Sequence, residues 1–149
     1  MQLLACIEMG LNAGEIVKAF LLLADAARPH PDGTFSLIRG GITEVNVLKN
    51  QAAGFRGTLV ARIVGSRGES GPHEFKLMCV NEDGQSVAPE MSGTFNIPLQ
   101  GSAVQLIWDL QLALPNRGRY EFTVTVDRHQ LDAWSLDVKD TQDAPQAKA

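Results

Sequence analysis

Arg119–Asp127 reads RYEFTVTVD. Tyr120, Phe122, Val124 and Val126 point one way along an extended chain, and Glu121, Thr123, Thr125 and Asp127 the other. Such alternation marks a strand with one buried face. Working outward, the same period of two recurs in Val104, Leu106, Trp108, Leu110 and Leu112, which alternate with Gln105, Ile107, Asp109 and Gln111. Phe75, Leu77 and Cys79 repeat it, as do Leu59, Ala61 and Ile63. Shorter runs lie at Phe35–Ile38, Val45–Leu48, Phe95–Ile97 and Trp134–Val138, and the pattern begins at Lys18. No stretch within 18–138 offers an amphipathic helix of three turns.

Turn residues separate these runs. Pro31-Asp32-Gly33 joins a fixed φ to a glycine that accepts a positive one. Asn81-Glu82-Asp83-Gly84 reads as a hairpin connection after Phe75–Val80. Pro115-Asn116-Arg117-Gly118 closes the run before Tyr120, and Gly40-Gly41 breaks another as a bulge or sharp bend. About eight or nine short strands at this spacing predict an all-β fold, an antiparallel two-sheet sandwich of immunoglobulin-like or jelly-roll type. The domain is expected over 18–138, after a helical or flexible extension at 1–17 and before a disordered tail at 139–149. In the extension Leu3, Leu4, Ile7 and Leu11 share a helical face. That suits either an amphipathic docking segment or a floppy extension.

Composition narrows the function classes. The 149 residues are 44% hydrophobic, enough for one core without staples. Seventeen acidic residues against thirteen basic ones, with no Lys/Arg block, argue against nucleic-acid binding. The longest apolar run, Ala19–Ala24, falls far short of the roughly 20 residues that span a bilayer, so no membrane partner is expected. Cys6 and Cys79 read as free thiols of a reducing cytoplasm.

Three stretches together carry a family resemblance: FLLLADAARPHPDGTFSLIRGGITEV, TLVARIV and LALPNRGRYEFTVTVDRHQLDAWSLDV. In this order they resemble a bacterial domain-of-unknown-function family of small, single-domain β-sandwich proteins. The shared features are an opening strand that ends in Asp25, a hairpin from Asp32 to Gly40, and the closing P-G-x-Y-x-F-x-V-x-V-D-G signature. The likeness covers about residues 19–138. Two departures fall in loops: an extra residue between Pro115 and Gly118, and Arg128 where a turn glycine is usual. The resemblance implies a sandwich and a cytoplasmic bacterial origin, and it implies no assigned activity.

Chemistry-bearing patterns are sparse. His30, His73 and His129 lack the paired spacing of metal ligands, so no metal or other cofactor is expected. There is no nucleophile elbow, and neither cysteine has a setting that lowers its pKa. A catalytic residue is therefore not assigned. Two candidate surfaces remain. Val60, Arg62, Met78, Val80 and Ile107 lie on strand faces opposite the core, and if their strands are neighbours they form a partly apolar partner surface. The alternatives are cover by the N-terminal segment or isolated exposed side chains. Arg128, His129 and Trp134 form a candidate ligand loop, with Trp134 either stacking on a sugar or packing at the sandwich end. The leading expectation is a non-enzymatic module for protein interaction or self-association. The runner-up is a carbohydrate-like small-ligand module, and an enzyme comes third.

Overall fold

A computed structural model describes residues 17–99 and 102–141. The expectations for residues 1–16, Cys6 among them, and for 142–149 lie outside the described residues. The described residues form ten strands: β1 (Lys18–Ala24), β2 (Ala26–Pro29), β3 (Phe35–Ile38), β4 (Glu44–Val47), β5 (Ala53–Gly65), β6 (Gly71–Val80), β7 (Met91–Ile97), β8 (Ser102–Leu114), β9 (Gly118–Val126) and β10 (His129–Asp140). One 3-10 turn, Arg67–Glu69, links β5 to β6.

The stretch that decided the fold behaves as its alternation requires. Tyr120, Phe122, Val124 and Val126 are all buried on β9. Each fully buried side chain of this size contributes about 1.5–3 kcal/mol of apolar burial. They meet Leu59, Ala61 and Ile63 of β5 in one core that joins two sheets. One sheet has three strands in the order β1-β5-β8, the other five in the order β4-β10-β9-β6-β7. All pairs within them are antiparallel except β4 with β10.

Of the two expected layouts, the connectivity matches the immunoglobulin-like one. In chain order β1, β5 and β8 take the places of strands A, B and E, and β6, β9 and β10 those of C, F and G. The Tyr120 hydroxyl donates to the Asn116 carbonyl at 2.7 Å and accepts the Asn116 N–H at 3.1 Å. This is the tyrosine corner that pins the start of strand F in such sandwiches.

Two boundaries differ from the sequence expectation. β2 was hidden because Ala26–Pro29 has no apolar alternation; it pairs only with β3, as a separate hairpin. β10 continues past residue 138, with Lys139 and Asp140 opposite Asn46 and Val47 of β4. Backbone pairing carries a strand where side chains give no apolar signal. Two ion pairs brace that end, Lys139–Glu44 and Arg117–Asp140, both at 2.8 Å.

The chain passes from β3 to β4, and so between sheets, through 39–43. Arg39 and Gly41 hold positive φ there (53° and 96°). The Gly41 and Ile42 amides both donate to the Leu23 carbonyl, at 2.8 and 3.0 Å. The Gly40-Gly41 bend therefore belongs to the crossover, and it brings the β2–β3 hairpin back over the three-stranded sheet.

Candidate functional site

The five residues expected to form one partner surface divide between opposite faces of the sandwich. Val60, Arg62 and Ile107 lie on the outer side of the three-stranded sheet, where register sets Val60 opposite Leu22 and Ile107. Met78 and Val80 belong to β6 and face outward from the five-stranded sheet, because Leu77 and Cys79 fill the core. Alternation tells which face a residue takes, and it does not tell which sheet its strand joins. The single patch is thus corrected to two separated ones.

Val60 needs a second correction, since only 2% of it is exposed. The β2–β3 hairpin covers it. A Cβ on Gly40 would sit 3.2 Å from Leu37 Cδ1 and 3.3 Å from Leu22 Cδ2, so these three residues are in close contact. At the hairpin tip the Gln105 side-chain amide donates to the Gly33 carbonyl at 2.6 Å, while its carbonyl accepts from Arg62 at 2.7 Å. The chain covers part of its outer face with its own hairpin.

Beyond the hairpin that face stays open. Phe20 is 56% exposed and Val64 37%, two residues apart in the register of β1 and β5, where Phe20 lies opposite Arg62 and Val64 opposite Lys18. Leu37 and Ile38 on the hairpin are also exposed. Sequence reasoning missed Phe20. The signal was present in KAFLLLA, which puts large apolar residues on both faces of one strand.

The ligand-loop residues do not converge either. His129 pairs with Val126, leaving Asp127 and Arg128 at the two centre positions of the turn with φ of 50° and 73°. Both angles are those of a type I′ hairpin, where glycine is the usual second residue. His129 lines an end cleft of about 470 Å³ with Val17, Glu69, His73, Asp127 and Leu131. Arg128 turns to the other side, into a separate concavity of about 450 Å³ beside Glu74, Lys76 and Thr125. Trp134 is in neither. It sits within β10 opposite Phe122, packs against the core, and donates its indole N–H to the Ile42 carbonyl at 2.7 Å. The half-buried ring anchors the crossover to β10.

The end cleft holds the most developed polar arrangement. His73 Nδ1 lies 2.6 Å from Asp127 Oδ2, and its Nε2 lies 2.6 Å from the Glu69 carbonyl oxygen. Phe95 stacks on the ring at 5.5 Å between centroids. Both partners are acceptors, so both ring nitrogens are satisfied only when each carries a proton. Burial works against the charged imidazolium, yet the Asp127 hydrogen bond and the Glu69 carbonyl outweigh it and raise the His73 pKa. Asp127 experiences the reverse balance: burial raises its pKa, while the Glu74 amide and His73 bring it below the usual carboxylate range. Its second oxygen accepts the Glu74 N–H at 3.0 Å, which ties the strained turn to β6. With both nitrogens engaged, His73 has none left to act as a general base.

Glu69 Oε1 accepts from the Ser66 amide and hydroxyl, at 2.6 and 2.7 Å, and its buried Oε2 has no hydrogen-bond partner among the described residues. Cys79 is fully buried, and burial pushes its thiol up to about 12, far from a thiolate at neutral pH. Among the described residues no group of three or more His, Cys, Asp or Glu side chains is arranged to hold a metal ion. No helix among them is long and apolar enough to cross a membrane.

A family model matches residues 19–139: the family of unknown function DUF6941. The chain belongs to the DUF6941 family. Its resemblance to a domain-of-unknown-function family, first seen in the sequence, is thereby established. No curated protein matches the chain. Several solved structures are similar at low identity. The CARDB domain of a Pyrococcus furiosus protein, solved in complex with di-metal ions, is 10% identical with a TM-score of 0.43, over 83% of this chain and 87% of that one. An immunoglobulin-like protein from Pseudomonas aeruginosa is 16% identical with a TM-score of 0.41, over 85% and 98%. The Pseudomonas fluorescens alkylpurine DNA glycosylase AlkC, bound to DNA containing an abasic site analog, is 13% identical with a TM-score of 0.37. This chain spans 30% of that glycosylase's length, and 83% of this chain is covered. At such scores these likenesses transfer no ligand, partner or activity.

Proposed function

We propose that this DUF6941 domain is a non-enzymatic module for protein interaction or assembly, and that it works through the outer face of its three-stranded sheet. The observation that carries this reading is the exposure of Phe20 and Val64 on that face, together with exposed Leu37 and Ile38 on the hairpin. Large apolar side chains grouped on an open sheet face are costly in water and mark interfaces in soluble domains. The engaged nitrogens of His73 and the buried thiol of Cys79 support a role without catalysis. A reducing cytoplasm suits a fully buried free thiol.

The test places a charge on that face. Phe20→Glu costs the monomer little because the side chain is already more than half exposed. Light scattering on the purified chain, with affinity capture from its host, should show an assembly that Phe20→Glu disrupts and Met78→Glu, on the opposite face, leaves intact. A chain that is strictly monomeric and captures nothing reproducible removes the proposal. A second reading, a small-ligand site, is favoured by the end cleft and its unpartnered Glu69 Oε2. It predicts ligand-induced chemical-shift changes centred on His129 and Leu131, and a silent cleft across a broad compound and glycan panel removes it.

A further inference from the structure

We infer that His73 is a proton-operated latch on the end cleft: loss of its Nε2 proton releases the Glu69 carbonyl and frees the Arg67–Glu69 turn, while the Nδ1 bond to Asp127 is kept. All parts of the latch lie within one chain, so it goes beyond the assembly reading and does not depend on it.

The two ring nitrogens each lie 2.6 Å from an acceptor, Nδ1 from Asp127 Oδ2 and Nε2 from the Glu69 carbonyl oxygen. A neutral imidazole carries one proton, so one of these contacts then sets a lone pair against a lone pair. The acceptors are unequal. Asp127 is a carboxylate, and hydrogen bonds to ionised groups are roughly twice as strong as those between neutral ones. Its other oxygen accepts the Glu74 N–H at 3.0 Å, and its own amide donates to the Glu74 carbonyl at 2.9 Å, which fixes it on β6. The remaining proton therefore stays on Nδ1, and the repulsion falls on Glu69. Phe95, stacked on the imidazole, blocks the ring from tilting out of that conflict, so the turn is the part that yields.

That turn is built to move. Two backbone bonds hold it, from the Glu69 N–H to the Ser66 carbonyl at 3.0 Å and from the Ser70 N–H to the Arg67 carbonyl at 3.2 Å. Gly71, at a φ of 111°, follows it as a pivot. The closed form also carries a cost, because the buried Glu69 Oε2 has no hydrogen-bond partner among the described residues. The imidazolium beside it offsets the carboxylate charge. When the ring loses its charge that offset goes, and Oε2 gains water by moving out.

Among the described residues Asp127 and Glu69 are the charged groups that act on the ring. His129, at the start of β10, acts on it through Asp127. β7 brings no charged side chain, Glu74 and Arg128 line the separate concavity, and Arg67 is exposed. Burial lowers the His73 pKa, and the Asp127 and Glu69 hydrogen bonds raise it by more. The latch is closed at low pH and opens as pH rises through the folded-state value.

NMR on the full-length, nitrogen-15-labelled chain from pH 5.5 to 9 tests this. The His73 ring should titrate once, and its nitrogen shifts should place the proton of the neutral form on Nδ1. Exchange of the Ser70 amide with water, read by magnetisation transfer and corrected for the intrinsic effect of pH, should quicken about tenfold with the same midpoint, as the loss of one hydrogen bond requires. The Glu74 amide, bonded to Asp127, should stay protected. In His73→Gln the Ser70 response should vanish. A ring that does not titrate, a neutral ring protonated on Nε2, or a Ser70 amide indifferent to the titration overturns the inference, as does a Ser70 response that persists in His73→Gln. If that variant does not fold, the wild-type readouts decide alone. None of them involves Phe20, so failure of the latch leaves the assembly reading standing, and a strictly monomeric chain leaves the latch standing.

Discussion

Replacing Tyr120 by Phe removes one oxygen and leaves the ring in place, and the tyrosine corner turns that into a measurable stability change. Tyr120 is 1% exposed, so its aromatic ring stays packed within the core. What is lost is the hydroxyl's donation to the Asn116 carbonyl and its acceptance of the Asn116 N–H. Each such bond contributes about 0.5–1.5 kcal/mol net. Asn116 is itself exposed, so water takes over part of its bonding and the full penalty of two orphaned groups is not incurred. The expected loss is therefore about 1–2 kcal/mol, read as a lower urea midpoint with an unchanged denaturant slope. Urea unfolding followed by tryptophan fluorescence and far-ultraviolet circular dichroism measures it, and the two probes should coincide. A loss below about 0.5 kcal/mol means the corner holds nothing that water does not replace. A loss above about 4 kcal/mol means that packing has changed and the bond arithmetic is wrong.

Two further outcomes follow, one from the end cleft and one from the β9–β10 turn. His73 has a pKa raised above its ordinary 6.5, so its contribution is complete below that value and is lost as pH rises through the folded-state pKa. Asp127 has one lowered below its ordinary 3.8, so its contribution is complete above that value and is lost as pH falls through the folded-state pKa. The stability difference between wild type and His73→Gln should accordingly be larger at pH 5.5 than at pH 8.5, and a flat difference across that range refutes the doubly bonded imidazolium. Arg128→Gly should stabilise the domain by about 0.5–1 kcal/mol, because relief of a left-handed backbone outweighs the added freedom of the unfolded chain. Destabilisation in thermal unfolding would show that the Arg128 side chain contributes more than its backbone costs.

The sheet faces were legible from residue types alone. In RYEFTVTVD and VQLIWDLQL a period of two is imposed by the backbone geometry of any strand, and the turn residues at Asp32-Gly33, Asn81–Gly84 and Pro115–Gly118 delimit the runs. The family was legible too, because its marks lie in contiguous stretches. The turn in PNRGRY was visible just before an alternating run, although the tyrosine corner built on it was not. The functional surface was far less so. Val60 alternates as an outer residue should, yet it is buried, since cover depends on where the β2–β3 hairpin lands after the Gly40-Gly41 crossover. Trp134 follows a polar stretch, yet its indole bonds Ile42, ninety-two residues away in the chain.

What the sequence determined by itself, then, was local: strand positions, the face each side chain takes, and the absence of short-range metal or nucleophile spacing. These follow from steric and hydrogen-bonding rules that act within a few residues. The tertiary structure alone decided which strands share a sheet, and so that Met78 and Ile107 face opposite ways. It also brought His73 to Asp127 and laid the tip of the β2–β3 hairpin against Gln105. Those outcomes depend on contacts between residues tens of positions apart, whose pairing is set by the packing of the whole core and is written in no single stretch.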